Sequence, residues 1–514
     1  MLGILLLGAF LRFYRIGQQS YWVDEVNSIW QVNGHIGSPL DNMLHNFHGP
    51  IHFAFLWLWG KVGGWGEAWT RSLSALMGLV TIWLIYVLAR RIAGRRVALW
   101  SALLLALSPF HVWYSQEVRN YAFLLLVVVL SMILFFRILE GSVAGLEPGF
   151  RSRKGIGVWI AFILASIAAL LSNLGALFLF AGQGLFLLFR RPKLFGKLCI
   201  VLAIVCILLL PWIRNIELGW SLELLREGKP LRQVNFHPLA IPYTFMVYSV
   251  GDTVGPSRNE MNRSLSFDLF RPFIAYFIVA GAVYAMLFFT GLRTWMQRKA
   301  GTDITYLQEG NGIAHLVPLE TLQLFLHWIF LPMVFVAVLA ILDLKLYNVR
   351  YVSVGFPGFV IVLAAGIERC RDRLRWVLVV LVFLLTAFSL RNMYTNPRYW
   401  KPDARAAARE IAQDAQPDDV IVVYAMEEPF HFYYRGLGEV RGLGWLNTGH
   451  WHFWQMVDEF GQRYKRAWLV DHRGWYIDPE GKIPQAFDER WRFVEERRFT
   501  GIVARLYENP EEAR

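Results

Sequence analysis

The sequence predicts an α-helical polytopic membrane protein that ends in a small α/β domain outside the membrane. Of its 514 residues 56% are hydrophobic and only 18% are charged, a composition far too apolar for a soluble protein of this length. Stretches without any charge recur at 121–136, 199–211 and 377–390, as expected of spanning helices. Beyond about Pro397 the composition changes to alternating helix and strand patterns, which predicts a domain of another class.

Windows of about 20 mostly apolar residues predict about eleven spanning segments. They lie at 1–14, 70–89, 96–113, 121–139, 156–172, 173–190, 197–216, 271–293, 322–342, 351–368 and 375–391. The first is short for a bilayer, so it either tilts or begins upstream of this sequence. The weakest boundary is Ser172-Asn173, which has to form a very tight turn between two spans.

The loops between these segments alternate in charge. The basic loops lie near 90–96, 137–154, 190–197, 293–299 and 369–375. The other set is poorer, with only Arg119 between the third and fourth segments and no charge at 172–173. The positive-inside rule places the basic set in the cytoplasm. The outer face then receives Asp24, His48, the loop 217–270, Arg350 and the C-terminus.

Two other classes of protein are not indicated. The net charge of +12 does not predict nucleic-acid binding, because the basic residues form short topology signals rather than a stripe. Cys199, Cys206 and Cys370 lie within or beside predicted spans, so neither a disulfide framework nor a Cys-rich metal site is expected. No cleavage site follows the first apolar segment, which we interpret as a helix rather than a signal peptide.

We predict a transmembrane catalytic domain at 1–391 and an extracytoplasmic α/β domain at 392–514. The first outer loop, 15–69, is rich in tryptophan. Its segment 53–59 is too short to span and predicts an interfacial helix that Pro50 begins. In the second domain a helix and four strands are predicted, at 403–413, 419–424, 466–471, 492–498 and 501–507.

Asp24 and Glu25 form a carboxylate pair just beyond the first apolar segment. Carboxylates at the edge of a bilayer are costly and are usually retained for function. One of them is able to act as a general base toward a hydroxyl acceptor while the other orients the acceptor. Successive residues point in different directions, so only one is expected to be the base. The alternative is that both simply favour the start of a helix.

His45, His48 and His52 are three and four residues apart in this same loop. On a continuous helix they would share one face, and a divalent metal would then be held by Glu25, His45 and His48. However, Gly49-Pro50 interrupts the helix between the second and third histidines. We therefore predict no cofactor with a defined ligand set, and the metal stays an alternative.

Gln116, Glu117, Arg119 and Tyr121 form a polar cluster at the outer start of the fourth segment. Arg119 is suited to a phosphate, with Glu117 setting its orientation. The alternative is an Arg–Glu pair that anchors the helix end. Arg71 and Arg350 also face outward; each alone is typical of a snorkelling anchor, whereas together with Arg119 they would suit a lipid-linked phosphate.

These motifs resemble the protein O-mannosyltransferase family and its bacterial relatives, which are GT-C glycosyltransferases that use polyprenyl-phosphate sugars. The elements that carry the resemblance, strong over about 1–140, are Leu11–Gly17 with Trp22–Glu25, His48–Phe53, Arg71–Gly78, Leu107–Tyr121 and Arg350-Tyr351. Gly49 replaces the first proline of a usual pair, and Ser74 precedes Ala75 where Pro-Ser is common. These two departures leave the subfamily open.

The resemblance implies a GT-C-like fold and an inverting glycosyltransferase at the outer face. The donor would be a polyprenyl monophosphate carrying mannose or another hexose or pentose. The acceptor would be a hydroxyl of a protein, lipid or polysaccharide. The implied base is Asp24, supported by Glu25. The implied substrate contacts are His48, Arg71, Gln116, Glu117, Arg119, Tyr121 and Arg350.

Two readings from other classes compete with a transferase. A polytopic transporter or lipid flippase would be expected to show midplane charges or helix breaks and internal symmetry. This sequence keeps its polar clusters at helix ends and shows no repeat. A membrane anchor for the C-terminal domain would leave the clusters on the outer face unexplained.

Overall fold

The computed structural model describes residues 1–45, 49–143, 153–215, 236–263, 266–297, 318–344, 346–425, 427–443 and 453–510. The helices up to residue 215 are α1 Leu2–Phe13, α2 Val23–Asn33, α3 Pro39–His45, α4 Pro50–Gly63, α5 Glu67–Ala93, α6 Arg95–Leu107, α7 Pro109–Ser115, α8 Tyr121–Val143, α9 Arg153–Leu170, α10 Ala176–Arg190 and α11 Pro192–Asn215. The later ones are α12 Ala240–Val250, α13 Arg258–Arg263, α14 Phe267–Phe270, α15 Ile274–Gln297, α16 Pro318–Ile341, α17 Phe356–Arg369, α18 Asp372–Thr395, α19 Ala404–Asp414, α20 Glu428–Tyr433, α21 Phe453–Gly461, α22 Gly474–Ile477 and α23 Lys482–Arg490. Short 3-10 turns occupy Arg271–Phe273, Val349–Tyr351, Ser353–Gly355 and Pro397–Tyr399.

Each of the predicted spanning segments coincides with a helix or helix pair. Among the described residues, six helices are long and apolar enough to cross a membrane, and the bent pair α6–α7 makes a seventh if it is one span. Four shorter apolar helices, α1, the 155–170 part of α9, α10 and α12, do not reach that length. The predicted helical membrane class is confirmed, whereas the count of eleven crossings and the orientation stay predictions.

The bend between α6 and α7 is 60° and is stabilised by a buried arginine. Pro109 has no N–H to donate to the carbonyl of Leu105, four residues before it. The guanidinium of Arg12 replaces that donor: Nη2 donates to Leu105 O and Nη1 to Ala106 O, both at 3.1 Å. Its Nη2 also lies 2.6 Å from Nδ1 of His111. Arg12 therefore joins α1 to the break that precedes the polar cluster at 116–121.

The described residues of the segment 15–69 contain α2, α3 and α4, and Pro50 begins α4 as predicted. Two tryptophans join α4 to the start of α5. Nε1 of Trp59 donates to the Trp69 carbonyl at 2.9 Å, and Nε1 of Trp69 donates back to the Trp59 carbonyl at 2.7 Å. Their rings stack with centroids 4.7 Å apart. The loop is thus fastened to a long apolar helix.

The tight turn predicted at Ser172-Asn173 is present between α9 and α10. Ser172 is completely buried. The side-chain amide of Asn120 donates to the Ser172 carbonyl, and the Ser172 hydroxyl donates to the Asn120 carbonyl at 3.4 Å. The turn is therefore held against the same polar cluster that precedes α8.

The C-terminal region forms a five-stranded sheet of order β2-β1-β3-β5-β4. Its strands are β1 Asp419–Tyr424, β2 Glu439–Gly442, β3 Arg466–Asp471, β4 Arg492–Phe499 and β5 Ile502–Glu508. β1 pairs parallel with β2 and β3, and β5 pairs antiparallel with β3 and β4. The predicted small α/β domain is confirmed. The edge strand β2 was not predicted, because its four residues are mostly exposed and lack an apolar alternation.

This domain contacts the segment 15–69 through α20, which packs against α2. The hydroxyl of Tyr433 donates to Glu67 Oε1 at 2.7 Å and accepts from the Tyr21 N–H at 2.8 Å. Arg405 donates to the same Glu67 oxygen at 2.9 Å. The carboxylate pair on α2 therefore lies beneath the C-terminal domain.

Candidate active site

Asp24 and Glu25 lie in the first turn of α2 and have opposite environments. Neither side chain forms a capping hydrogen bond. Both lie in the first turn, where acidic residues are favoured, so a contribution to the start of α2 accompanies any other role. The Asp24 side chain is 27% exposed, whereas that of Glu25 is completely buried. As expected for successive residues, the two carboxylates point into different surroundings.

Every contact of the Glu25 carboxylate is internal to the protein. Arg71 donates from Nε to Oε1 and from Nη2 to Oε2, both at 2.8 Å. The Val118 N–H donates to Oε1 at 3.0 Å, and Nζ of Lys401 donates to Oε2 at 3.0 Å. Burial alone would raise the pKa of Glu25, but the charges of Arg71 and Lys401 outweigh it and lower the pKa to about 2. Glu25 is therefore an ionised, fully paired carboxylate.

Arg71 has no donor left for a ligand. Its other N–H groups donate to the carbonyls of Ile16, Gln19 and Ser20, at 3.0, 2.8 and 3.1 Å. With the two bonds to Glu25, all five donors of the guanidinium are used. The predicted phosphate contact at Arg71 is thus replaced by a structural one, which ties the segment after α1 to α5.

Lys401 was not predicted from the sequence, yet it enters this cluster from the C-terminal side. Its Nζ lies 3.5 Å from Oε1 of the buried Glu117 as well as 3.0 Å from Glu25, and 5.7 Å from the centre of the Trp113 ring. Burial raises the pKa of Glu117, and Lys401 opposes that shift. A lone lysine at 401 carries no motif, so only the tertiary structure shows its role.

Two of the predicted arginines lie beside Asp24. Nη1 of Arg350 is 3.1 Å from Asp24 Oδ2 and Nη2 of Arg119 is 3.9 Å from the same oxygen. Nη1 of Arg119 also donates to the Asp24 carbonyl at 3.3 Å and to the Ser28 hydroxyl at 3.2 Å. Within the described residues the buried Nε atoms of both arginines have no hydrogen-bond partner. The site therefore holds donors that a bound anion is able to use.

A further cation, Arg258, was also not singled out from the sequence. It forms an ion pair with Asp252, with Nε 2.7 Å from Oδ2, and lies 5.8 Å from the Trp113 ring centre. The loop 217–270 was predicted to face the same side as Asp24. Arg258 on that loop shares Trp113 with Lys401, so two cations from distant segments meet at one ring.

The other predicted polar residues differ in placement. The Gln116 amide donates to the carbonyls of Arg12 and Tyr14, both at 2.9 Å, and so caps the end of α1. Tyr121 is buried with its ring 4.9 Å from that of Tyr114. His48 lies outside the described residues.

The histidines show no metal site in the part of the chain that the structure describes, where no three His, Cys, Asp or Glu side chains are grouped for an ion. His45 is exposed and its Nδ1 lies 2.8 Å from the Asp41 carbonyl. His52 is buried, and burial together with Arg119 lowers its pKa to about 3. A neutral imidazole therefore lies near Arg119.

Comparison with known proteins supports the predicted family. A family model described as dolichyl-phosphate-mannose-protein mannosyltransferase matches residues 47–214. An uncharacterised protein of Aquifex aeolicus (strain VF5) is 27% identical over 192 residues, which are 36% of this chain and 36% of that protein. The chain thus spans about a third of the length of that relative.

Two solved structures share the fold over nearly all of this chain. ArnT from Cupriavidus metallidurans bound to undecaprenyl phosphate aligns with a TM-score of 0.54 at 15% identity, covering 98% of this chain and 97% of ArnT. The oligosaccharyltransferase AglB from Archaeoglobus fulgidus, in complex with an inhibitory peptide and a dolichol-phosphate, aligns at 0.52 and 12% identity. That alignment covers 99% of this chain and 74% of AglB. The predicted family resemblance and GT-C-like fold are confirmed, and the findings support the prediction of a glycosyltransferase.

Proposed function

We propose that this protein is an inverting glycosyltransferase that moves a sugar from a polyprenyl monophosphate to an acceptor hydroxyl on the outer face of the membrane. The observation that carries the proposal is the contrast within the carboxylate pair. Asp24 is part-exposed beside Arg119 and Arg350, whereas every oxygen of Glu25 is already paired. Asp24 is therefore the base, and Glu25 positions the surrounding segments.

The chemistry follows from this placement. The acceptor oxygen attacks the anomeric carbon of the donor while its proton passes to a carboxylate oxygen of Asp24. The bond between that carbon and the phosphate oxygen breaks, and its electrons stay on the phosphate. Guanidinium groups stabilise the departing phosphate because they match its geometry and charge. A single displacement with one base inverts the anomeric centre.

The arginines link the two substrates of the proposed reaction. Arg350 and Arg119 are paired with Asp24, so the guanidinium groups that would hold a donor phosphate lie directly against the proposed base.

The comparisons support the donor class. The matched family is named for transfer from dolichyl-phosphate mannose, and the similar ArnT and AglB structures contain undecaprenyl phosphate and dolichol-phosphate. We assign mannose or another hexose or pentose as the sugar, and a protein, lipid or polysaccharide as the acceptor. The assay is a panel of radiolabelled polyprenyl-phosphate sugars given to membranes with and without the protein. Transfer from at least one donor is expected, and no transfer from any would contradict the proposal.

We predict that the chain crosses the membrane an odd number of times, so that the C-terminal domain lies outside the cytoplasm. A reporter fused after Arg391 should then be active only outside, because the basic loops are held inside. The matched control is the same reporter fused after Arg191, which should be inactive because that loop is predicted to lie in the cytoplasm. Cytoplasmic activity after Arg391 would invert the orientation and remove the site from the outer face.

Arg119→Lys is expected to weaken donor binding although it keeps the charge. Lysine lacks the planar fork that reaches Ser28 and the Asp24 carbonyl and leaves a phosphate with one contact fewer. The expected cost is about 1–3 kcal/mol, measured as donor affinity of the purified protein. Arg409→Lys, at an exposed position, is the control. Unchanged affinity in Arg119→Lys would make Arg119 a helix anchor.

A further inference from the structure

The parallel strands β1 and β3 of the C-terminal domain end side by side, where Tyr424 pairs with Asp471. A non-glycine residue in the left-handed region follows each strand: Ala425 has φ 61° and Arg473 has φ 70°. Such residues are uncommon, and they persist where the surroundings impose them, often at functional sites. The carboxyl edge of parallel strands is also a usual place for ligands.

The conformation of Arg473 is imposed by its neighbours. The Gly474 N–H donates to Asp471 Oδ1 at 2.6 Å. A side chain at Gly474 would lie 2.3 Å from the Tyr424 ring, so the turn is pressed against the end of β1. The helix that follows β1, α20, packs on α2, which carries Asp24. The end of β1 is thus joined, through α20, to the helix that carries Asp24, and Arg473 interacts electrostatically with Asp24.

Part of the Arg473 guanidinium lacks a hydrogen-bond partner in the described part of the chain. Its Nε is buried without a hydrogen-bond partner. Burial and the nearby charge of Arg258 lower the pKa of Arg473, and Asp24 opposes them. A buried guanidinium N–H without a partner, near a second positive charge, is unfavourable unless an anion is bound there.

The charges around Asp24 are unbalanced. Four guanidinium groups, those of Arg119, Arg258, Arg350 and Arg473, accompany the carboxylates of Asp24 and Asp252. Four positive charges against two negative ones leave an excess of two among these groups. A phosphate brings the one or two negative charges and the several acceptor oxygens that such a set requires.

We propose that Arg473 is an anion-binding residue that the C-terminal domain supplies to the active site, and that it binds a phosphate oxygen of the polyprenyl phosphate. This assignment rests on the proposed function. It gives the domain a direct part in donor binding, in addition to covering the site. The departing phosphate would be held by arginines of both domains.

The test measures binding of a short-chain polyprenyl monophosphate, without sugar, to the full-length purified protein. Arg473→Gly removes the side chain and suits the left-handed backbone, so the variant should fold at least as stably. Its affinity should fall roughly tenfold to a hundredfold, as expected for loss of a charge-assisted contact. The affinity of Arg473→Lys for the lipid phosphate should fall less. Arg463→Ala, at an exposed position of the same domain, is the control and should bind as the wild type.

The outcomes separate the two proposals. If the wild type does not bind the lipid phosphate, the proposed function fails. If it binds and Arg473→Gly binds equally well, the assignment of Arg473 alone is wrong. Inorganic phosphate is titrated in parallel. Loss of inorganic phosphate binding in Arg473→Gly with lipid phosphate binding intact would assign the residue to a free phosphate and overturn the lipid assignment.

Discussion

Replacing Asp24 by asparagine is expected to lower the rate of sugar transfer by about 10²–10⁴-fold, the usual contribution of a general base. Asparagine keeps the size and its side chain still accepts the hydrogen bond from Arg350, and the backbone carbonyl still accepts the one from Arg119. However, it does not accept a proton near neutral pH. The fold and the donor affinity should therefore survive. The loss should appear in turnover at saturating donor, since the base acts on the acceptor.

The matched control is Asp41→Asn, at an exposed position of α3, which should transfer normally. Near-normal transfer by Asp24→Asn would exclude Asp24 as the base. If Glu25→Gln then loses transfer while its fold is intact, the roles of the two carboxylates are exchanged. Normal transfer by both variants would reduce the pair to a structural feature and contradict the mechanism.

The second large effect concerns stability. Glu25→Gln should lower the free energy of unfolding by about 3–5 kcal/mol, because it leaves the buried charge of Arg71 without its partner. Thermal unfolding in detergent measures the change, with Glu410→Gln at an exposed helix position as control. The double variant Glu25→Gln, Arg71→Met should lose less free energy of unfolding than the sum of the two single losses. Each single variant already removes the interaction between the two side chains, so the second change has less left to remove. Strict additivity would show that the pair does not stabilise the fold.

The stability effect should also depend on pH in a defined direction. The folded pKa of Glu25, about 2, lies below its ordinary value of 4.5. The unfolded state therefore binds the proton more readily, and this stabilisation is complete above about pH 4.5 and lost as the pH falls toward 2. The difference in the free energy of unfolding between the wild type and Glu25→Gln should be largest near neutral pH and should disappear as the pH falls toward 2. A difference that does not change with pH would show that the ionised carboxylate is not responsible.

The sequence predicted the features that depend on local patterns. Apolar windows located the helices, and the buried strands β1 and β3 were predicted at 419–424 and 466–471, the bounds found in the structure. Pro50 begins α4 as expected, since a missing N–H costs nothing at the first turn. Whether a helix crosses the membrane was less predictable. The 155–170 helix and α10 are shorter than a bilayer requires, so hydropathy alone does not settle their path.

The candidate site was predictable where its residues stand in polar motifs at the ends of predicted helices. Asp24, Arg119 and Arg350 were all singled out, and the structure brings them together. Which carboxylate is accessible depends on Arg71 and Lys401, which pair with Glu25. Lys401 is 376 residues from Glu25, and no sequence spacing predicts that contact. Arg473 was also missed, because arginine in a left-handed turn runs against local preference.

The anomeric configuration of the product tests the proposed single displacement most directly. Purified protein is given a polyprenyl-phosphate sugar of known anomer and the acceptor found in the membrane assay, and the new glycosidic bond is examined by NMR. A single displacement with Asp24 as the base predicts transfer with the configuration opposite to that of the donor, at a rate about 10²–10⁴-fold lower in Asp24→Asn. Transfer with the configuration retained would require a covalent or second displacement step and would contradict a single displacement with Asp24 as the base.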